Sequence, residues 1–323
     1  MRPPPLRFGL VGTGHWARLA HAPTLASTDG IELAAVWGRN RAAAAELAAA
    51  YHAAPHEDLA TFLAAVDGVA FAVPPDVQAP IAARAARAGK HLLLEKPIAL
   101  SGADADELAE AVEQNGVASV VFFTLRFQPR MRAWLASVTT RGGWAGGAAA
   151  WFGSSLLASS PFNTPWRREK GALWDLGPHL VSLLWPVLGP VTSVTADAGP
   201  EDVAHLVLHH QGGPSSVVTV TQSAGEAARG FEAYVWGAAG QSDAPAAASD
   251  PVVPLRTALT ELAQNARSGR TGVIPATSGS AATWTACSLP RSASSTNGRS
   301  RSIWCATVAP WVTRRRRDPN RCR

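Results

Sequence analysis

Gly12-Thr13-Gly14-His15-Trp16-Ala17 sets two glycines and a small alanine at the spacing of a loop that can cradle a pyrophosphate. Gly12 would permit a tight strand-to-helix turn, Gly14 would let backbone N–H groups approach the anion, and Ala17 would let the helix lie close on a sheet. An ordinary glycine turn has the same composition, so the loop points to a dinucleotide only in the right surroundings. Glu95-Lys96-Pro97 holds a second reactive group. A lysine at a strand end could move a proton at a hydroxyl or carbonyl oxygen while hydride moves at the adjoining carbon; a plain surface Glu-Lys pair is the alternative. Asp175 and His179 form a third group. On a helix, side chains four apart share a face, so this carboxylate and imidazole could converge on one hydroxyl. Otherwise Asp175 caps a helix and His179 is structural.

The surrounding pattern decides how these groups are held. Leu6 to Val11 and Ile31 to Trp37 are apolar runs of strand length, and Gly68 to Val73, His91 to Leu94 and Ala118 to Phe123 follow. Helical stretches at Arg18 to Ser27, Arg41 to Tyr51, Val77 to Ala88 and Asp104 to Glu113 separate them. This alternation predicts an α/β Rossmann domain, residues 1–123, with a doubly wound parallel sheet. Ligands of such sheets bind at the carboxyl ends of the strands. That rule brings the loop residues Gly12, Thr13, Gly14, His15 and Trp16 together with Arg39, Asn40, Pro74, Glu95 and Lys96 as cofactor-binding candidates. The stretch Trp37-Gly38-Arg39-Asn40 lacks the carboxylate that usually binds the ribose hydroxyls of NAD. Arg39 could bind a 2′-phosphate instead, which favours NADP over NAD.

After Phe123 the alternation stops. Ala148 to Phe152, Val191 to Ala196, His205 to His210, Ser216 to Gln222 and Phe231 to Trp236 read as short strands around a helix at Asp175 to Leu188. They predict an α+β domain, residues 124–272, with a large, mainly antiparallel sheet. Ser159 to Lys170 is a candidate substrate-lining loop, with Trp166 and Arg167, and Arg126, just past the first domain, is a further substrate-binding candidate. Leu255 to Ala266 has helical periodicity.

The formal charge of +5 would suit an anionic partner, but its distribution argues against nucleic acid. Residues 267–323 hold eleven arginines and one acid, leaving the first 266 residues with 18 basic and 23 acidic side chains, a net of −5. All three cysteines, Cys287, Cys305 and Cys322, lie in that tail without metal-ligand spacing, so neither a metal site nor a disulfide framework is expected. No run approaches the roughly 20 apolar residues of a membrane helix, and the opening apolar segment is too short for a signal peptide. The expectation is a cytoplasmic protein without a membrane partner.

Taken together, the loop, Ala88-Gly89-Lys90-His91 and Glu95-Lys96-Pro97 resemble the Gfo/Idh/MocA family of sugar and polyol oxidoreductases. The resemblance implies that Lys96 is catalytic and touches substrate. Gly171 to His179 is similar to the family's second signature, which implies that Asp175 and His179 face the substrate; Ser182 departs from it, since many relatives have an aspartate there. It further implies a sugar, inositol or related polyol as partner and a homo-oligomer, dimer or tetramer. A dinucleotide-binding regulator without turnover, and a redox-neutral glycosidase, are the competing readings; DNA binding would rest wholly on the tail. From about Thr271 the texture changes: no Lys or Glu, and a run Arg314-Arg315-Arg316-Arg317. Ala276 to Gly298 can be written in codons that, started one nucleotide earlier, encode an amphipathic helix similar to the family's last one. A frame shift or disorder in residues 273–323 is therefore expected.

Overall fold

A computed structural model describes residues 3–270 and the backbone of a strand at 272–274. The arginine-rich tail, with its frame-shift reading, lies outside the described residues.

The first part of the chain alternates as expected: β1 (Leu6–Val11), α1 (Ala22–Ser27), β2 (Ile31–Trp37), α2 (Arg41–Ala50), β3 (Ala54–His56), α3 (Leu59–Ala64), β4 (Gly68–Phe71), α4 (Pro75–Arg87), β5 (His91–Glu95), α5 (Gly102–Gln114) and β6 (Ala118–Phe122). α1 continues a helix that already begins at residue 15 and contains a π-turn, Ala17–His21. Then come α6 (Thr124–Phe127), α7 (Pro129–Arg141), β7 (Trp144–Phe152), α8 (Pro165–Asp175), α9 (Gly177–Leu188), β8 (Val191–Ala198), β9 (Ala204–His210), β10 (Ser215–Thr221), β11 (Gly230–Gly237), β12 (Gly240–Asp243), α10 (Val252–Arg267) and β13 (Gly272–Ile274).

The first sheet has seven strands in the order β13-β6-β5-β4-β1-β2-β3, every pair parallel. Strands such as β4, buried at every residue, are covered on both faces, which is why they read as unbroken apolar runs. One face packs on α1, α2 and α10, through residues such as Leu25, Leu47 and Leu259. The other packs on α3, α4 and α5, through Phe62, Ala82 and Leu108. The chain winds outward from β1 through β2 to β3, then restarts on the other side of β1 with β4. That reversal opens a crevice at the carboxyl ends of β1 and β4.

The second sheet has six strands in the order β12-β11-β7-β10-β9-β8; only β7 and β10 run parallel. One face packs against α7 and α9, and the strict alternation of buried and exposed residues along β9 shows that the other is open.

Three local expectations differ from the structure. The helix read at Asp175 to Leu188 is α9 and starts at Gly177; Asp175 instead ends α8, in which Gly171, with φ of +70°, makes a kink. The segment read as a loop from Ser159 is helical from Pro165, capped by Thr164, whose side chain accepts from the Arg167 N–H. The third difference is spatial. Although α10 follows the second sheet in sequence, it packs on the first, and β13 pairs with β6. The unit built on residues 1–123 therefore takes its last helix and edge strand from the far end of the described chain.

Candidate functional site

The glycine loop leaves β1 at the crevice. Gly12 has φ of +121°, and a Cβ there would stand 2.5 Å from the Ala72 carbonyl oxygen, so only glycine fits the turn. Gly14 differs: an added Cβ would meet no atom of the described residues within 4 Å and would stand in open space. Its backbone is thus open to close approach by a ligand, at the N-terminus of the helix that starts at residue 15. Ala17 is fully buried, as close packing of that helix on the sheet demands. These features fit a dinucleotide pyrophosphate.

The other cofactor candidates line the same edge. Arg39 and Asn40 follow β2 and are exposed; the Asn40 side chain caps α2 by accepting from the Ala43 N–H. Pro74 precedes α4. The Lys96-Pro97 peptide after β5 is cis. Gln78, buried on α4 and missed in the sequence, holds this turn: its Oε1 accepts from the Glu95 N–H (2.8 Å), and its Nε2 donates to the carbonyls of Glu95 (2.8 Å) and Ile98 (3.2 Å). An amide on an otherwise apolar helix face was the available signal.

Lys96 reaches across to the second domain. Its Nζ donates to Asp175 Oδ1 (2.6 Å) and to the Asp175 carbonyl (2.7 Å). The other carboxylate oxygen, Oδ2, accepts from Arg167 Nε (2.8 Å) and from Gln222 Nε2, while Arg167 Nη2 reaches Oδ1 (3.4 Å). Four donors therefore fill the roughly four acceptor sites of this carboxylate. Burial pushes Asp175 upward, but Lys96 and Arg167 outweigh it and hold the carboxyl well below its usual range, so it stays ionised. Gln222 was not found from sequence, nor was Asp202. The Asp202 carboxylate accepts from the N–H groups of Ala172 (3.0 Å) and Gln222 (2.9 Å) and from the Thr221 hydroxyl (2.7 Å), tying the kink in α8 to β10.

His179 lies in the first turn of α9, against Trp151 (ring centroids 5.5 Å apart). Burial, and next the Lys96 charge, push its pKa well below 6.5 against the opposing pull of Asp175, so the imidazole is neutral at pH 7. Its Nδ1 is buried without a hydrogen-bond partner among the described residues. Ser182 is buried too, and its hydroxyl donates to the His179 carbonyl (2.6 Å).

The structure thus brings Lys96, Asp175, Arg167 and His179 together. Trp166 packs beside the Arg167 guanidinium (5.7 Å), with its Nε1 buried and without a partner among the described residues. Arg126 is placed differently. Buried, which lowers its pKa to about 10, it has Glu261 and Arg132 as charged neighbours rather than Lys96 and Asp175. Phe162, from the segment before α8, contacts His15 (5.3 Å) and Trp16 (6.1 Å) and lies beside Arg167 (5.5 Å), so second-domain chain reaches the residues just after Gly14. Among the described residues no group of three or more His, Cys, Asp or Glu side chains could hold a metal ion, and no helix is long and apolar enough to cross a membrane.

Comparison with known proteins gives matches over both sheets. Residues 6–123 match the model of an oxidoreductase family with an NAD-binding Rossmann fold, and residues 147–242 match the GFO/IDH/MocA C-terminal domain. A 4-carboxy-2-hydroxymuconate-6-semialdehyde dehydrogenase of Sphingobium sp. is 35% identical over 38% of this chain and 40% of its own length. Inositol 2-dehydrogenase of Rhizobium meliloti is 28% identical over 68% of this chain and 69% of its own. The chain spans about half the length of the curated relatives it matches. Among solved structures, GenD2 from gentamicin A biosynthesis, in complex with NAD, superimposes with a TM-score of 0.72 at 22% identity, over 84% of this chain and 88% of GenD2.

Proposed function

The chain belongs to the Gfo/Idh/MocA oxidoreductase family, and from that premise we propose that it is an NAD(P)-dependent dehydrogenase or reductase acting on a secondary hydroxyl or carbonyl of a sugar, inositol or related polyol. The observation that carries the reading is the 2.6 Å contact of Lys96 with Asp175, which joins the two domains beside the glycine loop. A bound nicotinamide would supply or accept the hydride.

Lys96 would donate a hydrogen bond to the reacting oxygen, stabilising the alkoxide that develops as the hydride leaves carbon. Neutral His179 would accept the hydroxyl proton in oxidation and return it in reduction. Asp175, its acceptor sites filled, would orient Lys96 and Arg167 rather than bind a hydroxyl itself. Trp166 and Arg167 would line the substrate side, and the buried Arg126 would support it from the α10 side. Gly12, Thr13, Gly14, His15 and Trp16 would hold the pyrophosphate, with Pro74, Asn40 and Glu95 along the same edge. Exposed Arg39, with no carboxylate nearby in the β2 turn, supports NADP over NAD. The open face of the second sheet, which exposes Val207, Val217 and Trp236, would pair with a second copy.

The test is a panel of sugars, inositols and sugar acids assayed with NAD and NADP on the wild type and Lys96→Met. Turnover by the wild type with kcat about 10²–10⁴-fold lower in the variant, at unchanged dinucleotide affinity, is expected. Unimpaired Lys96→Met turnover would overturn the assignment of Lys96, and tighter binding of NAD than of NADP the cofactor preference.

A further inference from the structure

Glu95 precedes Lys96, yet its carboxylate turns away from the substrate side, toward the helix of the glycine loop. Its Oε1 accepts from Trp16 Nε1 (2.6 Å) and from His21 Nε2 (2.9 Å), and its Oε2 accepts from the backbone N–H of Lys96 (3.3 Å). His21 is fully buried. With a carboxylate on Nε2, that nitrogen carries the proton, and Nδ1 is left buried without a partner among the described residues. A buried imidazole with one unused nitrogen is costly to keep for packing alone.

The helix itself is built to present it. His21 closes the π-turn Ala17–His21, in which the Ala22 N–H bonds to the Ala17 carbonyl. A π-turn adds a residue to the helix and changes the direction of the side chains beyond it, at some cost to the regular ladder. Here the turn starts just after Trp16 and ends at His21, the two donors that converge on one oxygen of Glu95.

We propose that Glu95 is a positioning residue which, through Trp16 and His21, ties the glycine-loop helix to the backbone of Lys96, so that a dinucleotide settling on the loop also orders the lysine. The coupling rests on the proposed function for its ligand, but the tie itself does not. Beyond their shared apolar core, Glu95 gives two elements a direct polar link: the helix that meets the pyrophosphate and the strand end that carries Lys96.

Hydrogen exchange of the amides at 93–98 and at 12–21, read with and without NADP or NAD, tests this on the full chain. Four variants are compared with the wild type: Glu95→Ala, His21→Ala, His21→Gln, which keeps a donor of similar reach, and Trp16→Phe, which removes only the indole N–H. Without dinucleotide, exchange at 93–98 is expected to be about tenfold faster in Glu95→Ala and His21→Ala, with β1 and β4 amides unchanged and His21→Gln close to wild type. With each chain at a dinucleotide concentration that titration shows to saturate it, protection at 12–21 should extend to 93–98 in the wild type and His21→Gln, and stop at 12–21 in the others. If Glu95→Ala or His21→Ala does not fold, the Trp16→Phe and His21→Gln pair decides by the same readout. Wild-type exchange at 93–98 in all folded variants would overturn the tie; protection that spreads equally in every variant would overturn the coupling. A wild type that binds no dinucleotide would overturn the proposed function and the coupling, while the ligand-free comparison still decides the tie.

Discussion

At the scale of single residues, the two glycines of the loop do different work and can be told apart. Gly12→Ala forces a Cβ to 2.5 Å from a carbonyl oxygen at φ of +121°, so a loss of about 1–3 kcal/mol in stability is expected in denaturant titration. Gly14→Ala meets no atom; its stability should stay near wild type while dinucleotide affinity falls by about tenfold or more, read by calorimetric titration. A Gly14→Ala chain that binds as well as wild type would remove the loop from the cofactor site. The buried titratable groups give a pH signature. Because His179 is held neutral, the unfolded chain takes up a proton below about pH 6.5 that the folded chain refuses. Stability must therefore fall as pH drops below that value, by at most about 1.4 kcal/mol per pH unit from this residue. His179→Asn should flatten that slope in urea unfolding at pH 5.0–6.5. Asp175, with its pKa depressed, contributes stability that is complete above about pH 4 and lost as pH falls toward the folded value, a separate and more acidic window. The loop, Lys96, Asp175 and His179 were visible as residue types at given spacings. Gln78, Gln222 and Asp202 were not, because a lone amide or carboxylate carries no spacing and acquires its partners only when distant segments meet.

At the scale of elements, the strands of the first sheet were readable nearly to the residue, since burial on both faces leaves an unbroken apolar run: β1 and β2 begin and end where the sequence placed them. β3 and α3 escaped notice because three exposed or half-buried residues around Pro55 and a six-residue helix have too few periods to register. The α8–α9 junction escaped for another reason. Four-residue spacing from Asp175 to His179 suggested one helix, but α8 ends at Asp175 and α9 begins at Gly177, while ahead of both Gly171 kinks α8 and Asp202 accepts from the Ala172 N–H. Asp175 closes α8 and His179 lies in the first turn of α9, with only the αR residue Leu176 and the start of α9 between them, so the two side chains stay close across the junction. Asp202→Ala leaves the N–H groups of Ala172 and Gln222 without their acceptor. A stability loss of about 1–3 kcal/mol is expected, together with a fall in turnover, since Gln222 and Asp175 lose the strand that places them. Loss of stability with turnover unchanged at a permissive temperature would show that the junction does not position the site.

At the scale of the whole molecule, the division of the chain by sequence and its division in space do not coincide. Family matching ends for the first domain at residue 123, and the break in strand–helix alternation suggested a boundary there. Yet α10 lies on the first sheet with Leu255, Ala258, Leu259 and Leu262 fully buried. Its periodicity was legible; its destination was not, because an amphipathic helix shows which face is apolar and not which sheet will cover it. Three leucines at about 1.5–3 kcal/mol each make this helix comparable in weight to the entire stability of a domain, about 5–15 kcal/mol. A fragment of residues 1–123 is therefore expected to lack a fixed tertiary structure, with dye-binding apolar surface and poorly dispersed amide resonances, although it holds every residue of the glycine loop and Lys96. Adding residues 250–274 in trans should restore dispersion if packing against α10 is what the fragment lacks. In the full chain, Leu259→Ala is expected to cost about 2–5 kcal/mol and to weaken dinucleotide binding in proportion to the fraction unfolded, whereas a well-folded 1–123 fragment would show that α10 covers a core already complete without it.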